Sequence, residues 1–222
     1  MQEIVERLLH FEPIQYIFGH TLWCGLDIKV TPATLIPRPE TAELVQAITN
    51  SHFPITNCRV LDIGTGSGCI AVALKKSHPE WNVTGIDVSH EAIEVAKENA
   101  QRNKAEVQFE QCDIFSDEIV GIGTFDVIVS NPPYICEKEK KSMRQNVLEF
   151  EPATALFVPD DDPLLFYRCI ASLRLGKNLF FEINEVYAHE IIDLLSALDY
   201  TDIHLINDIY GKPRIIEGRM VG

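Results

Sequence analysis

Residues 59–74 read RVLDIGTGSGCIAVAL. The run from Arg59 to Ile63 is short and largely apolar, as a buried strand is. From about Ser67 to Ser77 the residues are mostly small or apolar and suit a helix. Gly64, Gly66 and Gly68 stand between the two. A strand that turns through glycine straight into a helix is a building unit of α/β folds. Glycine permits the tight turn and lets backbone approach a ligand closely. The helix start beyond it offers unpaired N–H groups to an anion. The third glycine comes one residue earlier than in the dinucleotide fingerprint G-x-G-x-x-G, where Cys69 would be the glycine.

The same rhythm repeats downstream. WNVTGIDV (81–88) reads as a strand, and SHEAIEVAKENAQRN (89–103) as a helix with Ser89 as its N-cap. Glu91 and Glu94 fall in its first turns, where the helix dipole favours acids. AEVQFEQCD (105–113) and FDVIVS (125–130) are strands. DPLLFYRCIASL (162–173) is a helix, KNLFFEI (177–183) a strand and AHEIIDLLSALD (188–199) a helix. YTDIHLIND (200–208) and KPRIIEGR (212–219) are strands joined by a short Tyr210-Gly211 turn. This pattern predicts an α/β, Rossmann-like fold: a mostly parallel seven-stranded sheet, helices on both faces, and an antiparallel edge strand. Upstream, residues 1–11 have helical spacing that Pro13 ends. HTLWCGLDIKV (20–30) predicts an N-terminal β-hairpin about Cys24-Gly25. TPATLIPRPE (31–40) is loop, and a helix opens at Pro39 and runs to about Ile48.

A chain of 222 residues can bury one good core. Its formal net charge of −14 argues against a large footprint on nucleic acid, which needs clustered Lys and Arg. Lys138, Lys140, Lys141 and Arg144 form a small basic cluster that reads as a solvated loop. The six cysteines are scattered without a C-x-x-C pair, and the histidines lack metal-ligand spacing. Reduced thiols, no apolar run of bilayer length and no signal-peptide layout predict a cytoplasmic protein without bound metal.

Three acids close successive strands. Asp62 precedes the glycine loop, Asp87 ends the second strand and Asp113 the third. An acid at the second position can accept ribose hydroxyls, whether the ligand is a dinucleotide or another nucleoside. The fourth strand ends in Asn131-Pro132-Pro133-Tyr134, on the same edge. Asn131 Oδ1 and the Pro132 carbonyl, held by the Pro133 ring, make two aimed acceptors for one planar NH₂ group. Such a nitrogen is weakly nucleophilic, so orientation and stabilisation of developing charge matter more than a strong base. Tyr134 is expected to stack on the planar group.

Asp62 to Gly68, D-x-G-x-G-x-G, resembles the cofactor loop of class I S-adenosylmethionine-dependent methyltransferases. N-P-P-Y resembles the signature of those that modify planar nitrogens. LIPRPET (35–41), within the longer stretch from Glu12 to Val45, and the YGKPRIIEGR ending resemble the release factor protein-(glutamine-N5) methyltransferases. Matching motifs run from about Glu12 to Arg219. The resemblance implies methyl transfer from S-adenosyl-L-methionine, leaving S-adenosyl-L-homocysteine. The acceptor would be the glutamine of a Gly-Gly-Gln loop in class I peptide chain release factors. Asn131, Pro132, Pro133 and Tyr134 would hold the glutamine amide. Gly64, Thr65, Gly66, Ser67, Gly68, Asp87, Asp113, Ile114 and Asn131 would contact the cofactor, with Ile114 against the adenine. Arg38 and Thr41 would line the site from the loop above it.

The resemblance also divides the chain. Residues 1–11 would be the remnant of an N-terminal helical domain, 12–50 a linker with hairpin and first helix, and 51–222 the catalytic domain. Two departures are visible: Phe157-Val158-Pro159 replaces the usual glycines after EPATAL, and Asn184 replaces a glycine after Glu182-Ile183. Two rival functions fit the core motifs: an adenine N6-methyltransferase acting on a flipped base, and a cofactor-binding interaction module without turnover.

Overall fold

The computed structural model describes residues 2–51 and 56–220. Met1, residues 52–55 and residues 221–222, which fall within the first and third predicted segments, lie outside the described residues. The chain opens with helices α1 (Gln2–Leu9) and α2 (Ile14–Phe18), strands β1 (His20–Trp23) and β2 (Leu26–Lys29), and helix α3 (Pro39–Asn50). Then come β3 (Arg59–Ile63), α4 (Cys69–Ser77), β4 (Asn82–Asp87), α5 (His90–Arg102), β5 (Gln108–Gln111) and β6 (Phe125–Ser130). A short excursion follows: β7 (Ile135–Cys136), α6 (Gln145–Phe150) and β8 (Phe157–Val158). The chain closes with α7 (Leu165–Leu173), β9 (Gly176–Glu182), α8 (Ala188–Ala197), β10 (Tyr200–Asn207) and β11 (Pro213–Met220).

The main sheet has seven strands in the order β10-β11-β9-β6-β3-β4-β5. The five from β9 to β5 are parallel. β11 runs against both β9 and β10, so the predicted antiparallel pair closes one edge. β3 leads to β4 on one side, whereas β6 returns to pair on the other. The crevice above the β3–β6 junction is therefore the topological switch point where ligands of open α/β sheets bind.

Side-chain alternation divides the core into two layers. Val60, Val127, Val129, Phe180 and Ile215 face one layer with residues of α3 and α4. Their neighbours Leu61, Ile128, Phe181 and Ile216 face the other with Tyr167, Ile170, Ile191 and Leu195 of α7 and α8. Both faces of the parallel strands are thus dry, which explains why FDVIVS is apolar without alternation.

Local differences from the sequence expectation have local causes. The third strand pairs only over Gln108–Gln111, since β5 is the exposed edge and the chain leaves it at Cys112. Pro13 ends the first helical pattern and then caps α2 with an extended backbone. β7, β8 and α6 are too short for periodicity to reveal. The hairpin turns at Cys24 and Gly25, both with positive φ (49° and 73°), the twist a two-residue hairpin needs. Its free edge is not left open. Asn99 on α5 and Asn103, its C-cap, pair their side-chain amides with the backbone of Lys29 and Asp27. The Asn99 amide also donates to the Ser67 carbonyl at 2.8 Å, tying hairpin, helix and glycine loop together.

Gly64 and Gly68 both have left-handed backbones, but only Gly68 is crowded. A Cβ there would sit 2.9 Å from Ala96 Cβ and 3.0 Å from the Phe109 ring, while one on Gly64 would meet nothing within 4 Å. Gly64→Ala is expected to cost about 1 kcal/mol of stability from backbone strain. Gly68→Ala should cost a further amount of about 1–3 kcal/mol from overpacking. Urea midpoints of the cofactor-free variants test this; equal midpoints would refute the packing role of Gly68.

Candidate active site

A cavity of about 430 Å³ opens at the carboxyl ends of the parallel strands. That volume lies in the range of small-molecule sites. Gly64, Thr65, Gly66, Ser67, Asp87, Asp113, Ile114, Asn131, Pro132 and Pro133 line it, with Arg38 and Thr41 from the loop and helix above. Fourteen site residues were expected from the sequence, and two of them, Gly68 and Tyr134, do not line the cavity. Gly68 faces α5 instead, for the packing reason above. The Tyr134 ring packs on the second core layer, and its hydroxyl donates to Glu182 Oε1 at 3.3 Å. In this structure the ring anchors the loop from below.

The glycine loop is wired to its neighbours. Gly64 and Thr65 donate their N–H groups to the Ile86 carbonyl, each at 2.9 Å, and Gly68 donates to Thr65. Gly66 N–H donates to Asp87 Oδ2, and Ser89 N–H to Asp87 Oδ1, both at 2.9 Å. Burial raises the Asp87 carboxyl above the ordinary carboxylate range, against these backbone donors. Each Asp87 oxygen retains a lone pair for a ligand hydroxyl. Asp113 is exposed, and its Oδ1 accepts from Phe115 N–H in a local turn that brings Ile114 and Phe115 to the cavity wall.

Asp62 lies beneath the loop, fully buried. Its Oδ2 accepts from the Thr65 hydroxyl at 2.6 Å, while Oδ1 has no partner in hydrogen-bonding geometry. Burial pushes its carboxyl up to about 7, although Thr65 and the Ala71 N–H favour the charge.

The catalytic-loop candidate leaves β6 at Ser130, whose hydroxyl donates to the Ile63 carbonyl at 2.7 Å and locks two strand ends together. Asn131 Nδ2 donates to Thr41 Oγ1 at 3.2 Å. Among the described residues, no donor is bonded to Asn131 Oδ1 or to the Pro132 carbonyl. Arg38 does line the cavity, but its guanidinium is held by the buried Glu151 at 2.5 Å. Glu151 also accepts from Ile36 N–H, and Trp23 Nε1 donates to the Arg38 carbonyl at 2.8 Å. The hairpin thereby mounts the LIPRPET loop over the site.

Residues 40–155 match the family described as "Methyltransferase small domain". A release factor glutamine methyltransferase of Bacteroides thetaiotaomicron is 48% identical over 221 residues, covering 97% of this chain and 79% of that protein. The chain belongs to the release factor glutamine methyltransferase family. A second member, from Flavobacterium psychrophilum, is 45% identical over 97% of this chain and 78% of its own length. A crystal structure of a Pyrococcus furiosus methyltransferase superposes over 100% of both chains with a TM-score of 0.65 at 20% identity, a likeness of fold.

Within this family frame, several lining residues had escaped the sequence reading. Phe115 and Phe166 meet edge to face at 5.4 Å on the cavity wall. Phe166 comes from α7, and only the fold brings it there. Phe157 also lines the cavity and carries Lys140 over its ring at 4.2 Å. Asn184 accepts from Val186 N–H to cap a short turn and donates Nδ2 to the Tyr134 carbonyl at 3.3 Å.

Asp62 has a folded-state carboxyl above its unfolded one, so the folded protein holds a proton that the unfolded chain has already lost. Its contribution to stability therefore falls as pH rises from the unfolded pKa near 4 through about 7. Asp62→Asn in the cofactor-free protein should match wild type at pH 4 and exceed it at pH 8, by at most on the order of 4 kcal/mol. Urea unfolding at the two pH values checks this, and a pH-independent difference would contradict it.

Proposed function

We propose that this chain transfers a methyl group from S-adenosyl-L-methionine to the side-chain amide N5 of a glutamine in the Gly-Gly-Gln motif of class I peptide chain release factors. The observation that carries the reading is the pair of open acceptors, Asn131 Oδ1 and the Pro132 carbonyl. They border a cavity also lined by the glycine loop and Asp87, in a chain of this family.

The residues present suit the cofactor. Gly64 leaves open space where a side chain would intrude, and Asp87 offers carboxylate lone pairs for ribose hydroxyls. Ile114 and Phe115 offer an apolar wall for an adenine. The bound cofactor would supply an electrophilic methyl on a sulfonium.

The protein's own contribution is orientation. Asn131 Oδ1 accepts one N–H of the glutamine amide and the Pro132 carbonyl accepts the other. Together they fix the nitrogen and favour the positive charge that develops on it. Pro133 restrains Pro132 to an extended backbone, so the carbonyl needs no reorganisation. Tyr134 holds the loop down through Glu182. Asp113 and Ser67 complete the cofactor side, and Arg38 and Thr41 hold the roof. With a release factor as partner the enzyme would act in the cytoplasm. Among the described residues no helix is long and apolar enough to cross a membrane.

The test is incubation with a release factor and cofactor, followed by peptide mass mapping. A single methyl on the Gly-Gly-Gln glutamine is expected. A folded, cofactor-binding enzyme that leaves this residue unmodified would sink the proposal, and methylation of adenine would replace it. Asn131→Ala should lower kcat by about 10²–10³-fold, with cofactor affinity kept within about tenfold.

A further inference from the structure

Asn131 can serve as an acceptor in only one of its two amide orientations. Rotated by half a turn, it would present NH₂ to the incoming NH₂ of a glutamine, and two donors would face each other. Something must set the orientation, and two buried groups next to the loop have hydrogen-bonding capacity still unassigned.

The first is Thr41. It is buried in the third position of α3, and its oxygen accepts from Asn131 Nδ2 at 3.2 Å. A hydroxyl that accepts in this way still has one hydrogen to donate. Among the described residues no backbone carbonyl takes it. The second is Glu182, at the end of β9 and only 1% exposed. Its Oε1 accepts from the Tyr134 hydroxyl, and its Oε2 is buried without a partner in hydrogen-bonding geometry. Thr41 is nevertheless close enough to favour the Glu182 charge against burial. Thr41 thus keeps one hydrogen unassigned, and the nearby Glu182 keeps one oxygen unpartnered.

We propose that Thr41 and Glu182 are positioning residues: the Thr41 hydroxyl donates to Glu182 and so keeps Asn131 Oδ1 turned toward the substrate amide. An ionised carboxylate can only accept, which gives the chain one direction, from Asn131 N–H through Thr41 O–H to Glu182. The YGKPR turn supports this arrangement. Asp208 accepts from the Tyr210 and Lys212 N–H groups and from Arg214, whose guanidinium is thereby held where it favours the Glu182 charge. The role rests on the proposed amide methylation, but the amide orientation itself does not.

The experiment uses the full chain with Thr41→Val, Thr41→Ser, Glu182→Gln and the Thr41→Val/Glu182→Gln pair. One readout is the Asn131 side-chain NH₂ signal in ¹⁵N-labelled, cofactor-free protein, assigned by its loss in Asn131→Ala. Wild type and Thr41→Ser should show one exchange-protected NH₂ proton, and Thr41→Val and Glu182→Gln should lose that protection. The other readout is steady-state methylation of a release factor. Thr41→Val and Glu182→Gln should each lower kcat by about 10- to 100-fold with cofactor affinity unchanged, Thr41→Ser should restore it, and the double variant should be no worse than the singles. Should Glu182→Gln fail to fold, the Thr41→Val and Thr41→Ser comparison decides alone. Wild-type NMR protection in Thr41→Val or in folded Glu182→Gln, or fully additive losses in kcat, overturns the proposal. Absence of any methylation by wild type would instead overturn the proposed function, with the NMR readout still deciding the orientation.

Discussion

β3, β4, β5, β6 and β9 run the same way, so all five release the chain at one edge of the sheet. This directional constraint governs the rest of the structure. The glycine loop, the turn after Asp87, the turn after Asp113, the N-P-P-Y loop and the segment after Glu182 converge although they are spread over more than half the sequence. Because β6 pairs with β3 opposite β4, the loops after β3 and β6 flank one crevice. The cofactor candidates and the amide-holding candidates become neighbours through topology, before any side chain contributes.

What topology leaves open is the roof and the polarity. The roof comes from segments outside the sheet: the hairpin holds the Arg38 carbonyl through Trp23, and Glu151 clamps Arg38 and Ile36. The hairpin is itself stapled to α5 by Asn99 and Asn103. Asn99 extends this chain of bonds to the glycine loop, so roof and floor of the cavity share one fixed helix. That makes the segment before the sheet part of the site rather than an appendage to it.

The order of strands and helices was readable because each parallel strand is apolar on both faces and each helix follows a turn signal. Asp87, Asp113 and Asn131 were readable for the same reason, since strand ends are easy to find. Phe166 and Glu182 were not, although Glu182 ends a predicted strand. Nothing in FFEI distinguishes an acid buried behind the site from one facing water; only the Tyr134 and Thr41 contacts do so. Tyr134 shows the same gap. An aromatic ring next to two prolines suits stacking on a planar ligand, and nothing in the sequence shows that the ring also packs on the second core layer. Sequence registers the chemistry of a loop residue, and not which side of the loop it faces.

Two acids share an unusual condition. Asp62 lies one residue before the end of β3, beneath the glycine loop, and Glu182 ends β9 behind the N-P-P-Y loop. Both are almost wholly buried, and each has one carboxylate oxygen without a partner in hydrogen-bonding geometry. Burial raises both carboxyls, so both are costly to keep charged in the folded state. A fold selected for stability alone would place apolar residues there. Their positions directly beneath the two loops that border the cavity give the cost a purpose: a buried carboxyl in a dry site limits which hydrogen bonds its neighbours can make. Thr65 is set in this way over Asp62, and Thr41 with Tyr134 over Glu182. The polarity of the cavity wall is thus established from below, by buried carboxyl groups that are not part of its lining.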